Sequence, residues 1–164
     1  MINTQMSDYK TFLDNGIEEI NQGHFEKGIE WINKSLELKD DWEIPYFYRA
    51  VANHALERYD DAMLDYTKSI RLNEKMTDAY YNRAKITLTR KDIENPDISK
   101  AIEDLEKALE QDEKFLDALY AMAAAHKKLG NYKTALEYLD RLLEIEPEAV
   151  NARAFKKLLL QKYV

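Results

Sequence analysis

The sequence predicts an all-α protein built as a row of helix pairs. Two observations carry that prediction. Glycine and proline are scarce, at 4 and 3 of 164 residues, which disfavours a loop-rich β architecture and permits long uninterrupted helices. Four stretches also align with one another: GHFEKGIEWINKSLEL from Gly23, ERYDDAMLDYTKSIRL from Glu57, PDISKAIEDLEKALEQ from Pro96 and GNYKTALEYLDRLLEI from Gly130. Each reads as a turn, an aromatic or isoleucine, a small residue three positions on, and apolar residues at helical spacing. The anchors Phe25, Tyr59, Ile98 and Tyr132 are separated by 34, 39 and 34 residues.

The segment before each string repeats as well. Phe12, Tyr46, Tyr80 and Leu119 are each followed four residues later by Gly16, Ala50, Ala84 and Ala123. Each unit is therefore two helices, and the units run 9–42, 43–76, 77–115 and 116–149, with residues 1–8 as an N-terminal extension. In the extension, residues 1–6 are expected to fray, and Ser7 or Asp8 to cap the first helix of the first unit. Asn15 and Glu19 sit where the other units favour apolar and aromatic residues, so that helix is expected to be the least tightly packed. The second unit follows the pattern. The third carries five extra residues in its inter-helix turn, within TRKDIENPDIS, and Asp97 is placed to cap the helix that follows. The fourth puts His126 at a packing position. Residues 150–164 read as a closing helix, with Ala154, Leu158 and Leu159 covering the last pair and its lysines facing water.

A period of 34, a helix–turn–helix unit, small residues at the eighth and twentieth positions and an aromatic at the seventeenth resemble the tetratricopeptide repeat. The resemblance implies a right-handed α-solenoid of four tetratricopeptide helix pairs, residues 9–149, closed by a C-terminal capping helix. Stacking buries what no pair can bury alone. Gly or Ala at the small positions lets paired helices approach, while Phe12, Tyr46, Tyr59, Tyr66, Tyr80 and Tyr132 fill the gaps between pairs.

Composition excludes several function classes. Apolar residues make up 45% and charged residues 34%, as in a folded soluble chain. The absence of cysteine removes disulfides, thiol nucleophiles and thiolate metal sites. A net charge of −7 opposes nucleic-acid binding, although residues 150–164 hold Arg153, Lys156, Lys157 and Lys162 and no acid. No apolar run is long enough to span a bilayer, and the polar start lacks a secretion signal, so a cytoplasmic setting is expected. No phosphate-binding glycine loop, zinc-protease motif or nucleophile elbow is present. His24, His54 and His126 fall in separate units, and the many carboxylate pairs belong to turns and solvated faces. The expectation is a non-enzyme with no metal and no cofactor.

A surface is then the candidate for function. The resemblance implies that the second, fifth, ninth and twelfth positions of each first helix line a concave face. The peptide-binding groove so drawn comprises Leu13, Ile17, Ile20, Ile44, Phe47, Val51, His54, Tyr81, Lys85, Leu88, Tyr120 and Lys127, with Lys128 beside it. Within each helix these residues recur every three or four positions, on one face. The amino-terminal half is apolar, which invites a partner; the carboxy-terminal half is basic. An extended peptide or amphipathic helix carrying apolar and acidic residues would fit, with Ile17, Phe47, Val51 and Tyr81 as anchors and Lys85, Lys127 and Lys128 steering acids. The family's clamp for chaperone carboxylate tails is not matched. In one register its positions hold Leu13, Ile17, Tyr48, Asp78 and Asn82; in the next they hold Phe47, Val51, Asn82, Asp117 and Ala121. Two alternatives stand beside the groove: a small cytoplasmic chaperone, similar to those of type III secretion, that masks apolar client segments, and a structural module, self-assembling or part of a larger array, whose apolar half is covered by an N-terminal extension or by a second copy in a homodimer.

Overall fold

The computed structural model describes residues 2–163, with side chains from Asp8 to Tyr163. Every described element is an α-helix. The chain divides into two compact units, residues 1–79 and 80–164. The first holds α1 (Ile2–Asn21), α2 (Phe25–Leu38), α3 (Glu43–Ala55), α4 (Tyr59–Leu72) and the start of α5 (Thr77–Thr89). The second holds the rest of α5, then α6 (Ile98–Gln111), α7 (Leu116–Lys128), α8 (Tyr132–Ile145) and α9 (Val150–Tyr163). The anchors Phe25, Tyr59, Ile98 and Tyr132 are the first residues of α2, α4, α6 and α8. The first helix differs from expectation: α1 begins at Ile2, so positions Ser7 and Asp8 lie inside it and not ahead of its first turn. Of residues 1–6, expected to fray, 2–6 belong to α1, and Met1 lies outside the described residues.

Within three pairs the helices are joined by the same turn, and its hydrogen bonds explain where the second helix starts. Gly23, Glu57 and Gly130 occupy equivalent repeat positions and all have positive φ, at 82°, 58° and 78°. The following residue reaches back across the turn each time: His24 N–H to Glu19 O at 2.8 Å, Arg58 to Asn53 at 2.8 Å, Asn131 to His126 at 2.9 Å. This left-handed cap satisfies carbonyls that the ending helix leaves open. Glycine enters the left-handed region freely, whereas Glu57 bears a Cβ penalty of about 1–2 kcal/mol. Glu57→Gly is therefore expected to stabilise the chain by about 0.5–1 kcal/mol, after the entropy glycine loses on folding. A urea midpoint that stays put or falls would show that the turn absorbs the side chain without strain. The third pair has no such turn. Its longer connection is closed by an Arg90–Asp92 fork and by Asp97, whose carboxylate accepts from Lys100 N–H at 3.3 Å as the cap of α6.

In the first unit the core is Leu13, Ile20, Ile32 and Ala52, surrounded by Phe25, Ile29, Trp42 and Tyr48 among others. Trp42 meets Tyr9 edge-on at 5.6 Å, and Trp31 stacks on Phe12 at 5.7 Å. The expectation that α1 would be the least tightly packed fails here. A methyl group on Gly28 would sit 2.5 Å from Ile20 Cγ1 and 3.0 Å from the Gly16 carbonyl; one on Gly16 would sit 2.7 Å from Ile32 Cγ1. The two glycines bring the backbones of α1 and α2 into contact. Glu19, the apparent misfit, is held at the surface by Lys27 and by His24, whose Nδ1 lies 2.9 Å away. The hydrogen bond from Lys27 leads in holding its carboxyl below the usual range.

Two helix pairs are also bolted by partly buried ion pairs one repeat apart. Arg49 of α3 donates to Asp65 of α4 through Nε and Nη2, both at 2.8 Å. Arg83 of α5 donates in the same way to Asp104 of α6, at 2.8 and 2.6 Å. A planar guanidinium matches a carboxylate at two points, which fixes one helix against the next in direction as well as distance.

The second unit's core is Leu119, Ala123, Ala135, Leu139, Leu142, Ala152 and Leu159. The expected closing face of α9 is corrected at two positions. Leu159 is buried as expected, but its companions are Ala152 and the partly buried Phe155; Ala154 and Leu158 are exposed. Lys156 is not turned to water alone, since it pairs with Asp140 of α8 at 2.5 Å. Tyr163 stacks on Tyr132 of α8, with centroids 4.1 Å apart and planes 11° from parallel.

Candidate functional site

The residues drawn as groove lining have three different fates. Leu13 and Ile20 of α1 are 2% and 7% exposed, and Leu88 of α5 is 7% exposed. These three present no surface to a ligand. For Leu13 the cause is local: α1 packs on both α2 and α3, and Leu13 belongs to the core they share. Ile20 is spent on the contact with Gly28.

A second group is half-buried. Ile17, Ile44 and Val51 pack against the first core. Phe47 lies edge-on to Tyr48 at 5.4 Å and against Tyr66 at 5.9 Å. His54 meets Tyr59 at 6.0 Å. Tyr81 packs on Phe115 at 5.0 Å, with Lys85 Nζ 5.8 Å from its ring centre; burial, then the charge of Asp117, raises its hydroxyl pKa. The apolar half of the expected groove is thus largely engaged within the first unit, and a change such as Val51→Asp would strike the core.

The third group forms a cleft. Tyr120, Ala124, Lys127 and Lys128 of α7 face Asn151, Ala154, Phe155 and Leu158 of α9 across a space of about 540 Å³. Tyr120 packs on Phe155 at 5.5 Å and is still 37% exposed. Lys127 Nζ lies 5.7 Å from the Phe155 ring centre. Lys127 and Lys128 form no ion pair with the described residues, whereas Arg153 and Lys156 on α9 are paired with Glu148 and Asp140. The cleft therefore offers an apolar floor and two cations at its edge. Repeat spacing placed the α7 half of this cleft. The α9 half was missed because the closing helix was read as covering the core through Ala154 and Leu158, and those residues line the cleft instead.

His126, beside the cleft lysines in sequence, stacks on Tyr138 of α8 with planes 11° apart. Its Nδ1 is buried with no hydrogen-bond partner among the described residues. Burial lowers its pKa, against the opposing pull of Glu106 and Glu137. A folded pKa below the unfolded value of about 6.5 means that the unfolded chain binds the proton first. The contribution of this site is complete above about pH 6.5 and is lost as pH falls toward the folded pKa. His126→Phe is expected to remove that part of the acid sensitivity, narrowing the drop in Tm between about pH 7 and about pH 5. An unchanged pH profile would place the sensitivity elsewhere.

Among the described residues, no group of three or more His, Asp or Glu side chains is arranged to hold a metal ion. No described helix is long and apolar enough to cross a membrane.

Comparison with known proteins agrees with the helix-pair architecture. The family described as the Fis1 C-terminal tetratricopeptide repeat matches residues 116–163, which are α7, α8 and α9. Tetratricopeptide repeat protein 12 of Homo sapiens is 34% identical over 90 residues, 55% of this chain and 12% of its own length. A TPR repeat-containing protein of Methanocaldococcus jannaschii is 23% identical over 154 residues, 93% of this chain and 26% of its own. The chain spans about a tenth of the length of the first curated relatives it matches. Among solved structures, a crystal structure of MamA superposes with a TM-score of 0.83 at 19% identity, covering 94% of this chain and 81% of that one. The match is to the fold: an all-α solenoid of helix pairs, an architecture that supports protein–protein interaction in general. With its recurring pairs, small-residue contacts and these relatives, the chain belongs to the tetratricopeptide repeat family.

Proposed function

We propose that the chain is a non-catalytic protein-binding module that holds a peptide or an amphipathic helix, with its anchor in the cleft between α7 and α9. The observation that carries this reading is the coincidence, in one 540 Å³ cleft, of exposed apolar surface with two lysines lacking an ion-pair partner among the described residues. A ligand that suits it puts one large apolar side chain against Tyr120, Phe155 and Leu158 and flanking carboxylates beside Lys127 and Lys128. The half-buried residues Phe47 and Tyr81 then act through the packing of their own units and carry less of the binding than the sequence pattern implies. Neither enzyme chemistry nor a cofactor enters this reading.

The test is fluorescence anisotropy with short labelled helical peptides bearing one Phe or Leu flanked by Glu, against the same peptides flanked by Lys. The chain is expected to prefer the acidic series at least about tenfold, and Lys127→Glu with Lys128→Glu to invert the preference. Equal binding of both series, or a preference that survives the double reversal, would overturn the cleft assignment.

A further inference from the structure

We infer that this chain associates with further copies of itself head to tail, the outward face of α9 on one copy meeting the outward face of α1 on the next. The face of α9 turned away from α8 is not polar throughout. Val150, Arg153, Lys157 and Leu160 recur every three or four residues along one side, and all four are exposed, Val150 at 70% and Leu160 at 47%. They lie away from Ala152, Phe155 and Leu159, which pack on α8, and away from Asn151, Ala154 and Leu158, which line the cleft. The face is apolar and basic, on a helix with four bases and no acid. Arg153 shares its charge with Glu148 at 3.0 Å; Lys157 has no ion-pair partner among the described residues.

An exposed face of α1 has the complementary sign. On α1, Thr11, Asp14, Asn15, Glu18 and Asn21 recur along one exposed face. That face carries carboxylates at Asp14 and Glu18, with the exposed Lys10 at its edge one turn before Asp14. Glu18 accepts from Gln22 at 2.6 Å, a bond that leaves its charge intact. Joining like to like would set Lys157 against Lys157, or Glu18 against Glu18, so charge disfavours a symmetric pair at either face. Joining α9 to α1 brings Arg153 and Lys157 toward Asp14 and Glu18 and covers Val150 and Leu160. The contact uses a different surface on each partner, so nothing in it limits assembly to two copies unless the rotation closes a ring. Its polar share also makes it weak and salt-sensitive.

Sedimentation velocity across a concentration series tests this on the full chain. At low salt the weight-average mass is expected to rise with concentration beyond a dimer, and to return toward the monomer in about 0.5 M NaCl, where charges are screened within a few ångströms. Two variants reverse one face each: Arg153→Glu with Lys157→Glu on α9, and Asp14→Lys with Glu18→Lys on α1. Each alone is expected to stay monomeric. Mixed, the acidic α9 of the first variant meets the basic α1 of the second, and the second's basic α9 still meets the first's acidic α1, so association returns with the two variants alternating and again grows with concentration. Circular dichroism checks that both retain their helix content. A constant monomer mass at low salt overturns the inference. So does association that persists in both variants, or a mixture that fails to recover any. Association abolished by Lys127→Glu with Lys128→Glu but not by the α9 reversal would place the contact in the cleft, and would overturn it equally.

Discussion

Asp104→Ala is expected to cost about 2–3 kcal/mol, because it removes the carboxylate to which the partly buried guanidinium of Arg83 donates twice. The pair is mostly out of water, with the two side chains 20% and 13% exposed. It makes two charge-assisted bonds, at 2.8 and 2.6 Å. Residual exposure puts the loss below what a fully buried pair would show. The hydrogen bond to Asp104 leads in raising the Arg83 pKa. The fourth helix pair supplies a control. Met122 and Tyr138 stand at the positions equivalent to Arg83 and Asp104, with Met122 buried and Tyr138 partly buried. Arg83→Met combined with Asp104→Tyr should therefore fall within about 1 kcal/mol of the parent, since both charges leave together. Urea denaturation of the single and double variants decides the matter. A single variant as stable as the parent would mean that water screens the fork; a double variant as unstable as the single would mean that the bridge itself holds α5 on α6.

Gly28→Ala is the second large effect, expected at up to about 2 kcal/mol of destabilisation. Two terms oppose one another. Alanine is the better helix former by about 1 kcal/mol. The new methyl group would meet Ile20 Cγ1 at 2.5 Å and the Gly16 carbonyl at 3.0 Å, and overpacking of that kind costs about 1–3 kcal/mol. Neither neighbour is the loose end of a long side chain, and the carbonyl belongs to a helix backbone, so the steric term wins. The other pairs accept alanine at this position, as Ala62, Ala101 and Ala135, each fully buried. The difference lies in the partner helix, where Gly16 stands in place of Ala50, Ala84 and Ala123. A cycle with Ile20→Ala identifies the clash: if Ile20 is what the methyl meets, the double variant loses less than the two singles together. Strict additivity would assign the cost to the backbone contact alone.

The repeat period and the small residues were legible in the sequence because both follow from local chemistry. A helix pair needs apolar residues at helical spacing and a place where the two backbones can touch, and Gly28, Ala62, Ala101 and Ala135 mark that place in register. The forks were less legible. Arg49 and Asp65 are separated by 16 residues and Arg83 and Asp104 by 21, and nothing in a charged pair at such spacing distinguishes a buried bridge from two solvated side chains. Glu57 hid its left-handed conformation for a related reason: only the two glycines at equivalent positions announce the turn. The binding face was half legible. Helical period places a residue on a side of its own helix but not among its neighbours, so Leu13 looked exposed until α3 was seen to cover it. The closing helix offered two candidate apolar stripes, one through Ala152 and Leu159 and one through Ala154 and Leu158, and only packing against α8 distinguishes them.

Both tryptophans, Trp31 and Trp42, lie in the first unit, in contact with Phe12 and Tyr9; the second unit has tyrosines alone as its near-ultraviolet chromophores of comparable strength. The molecule thus carries a natural optical label on one half. Emission excited at the red edge of the indole band reports loss of structure around α1 and α2, while far-ultraviolet ellipticity counts helix throughout. If the two signals melt together, the halves cooperate as one folding block. If indole emission shifts first, the amino-terminal pairs open while the rest stays helical, and the order of unfolding can be read without any engineered probe.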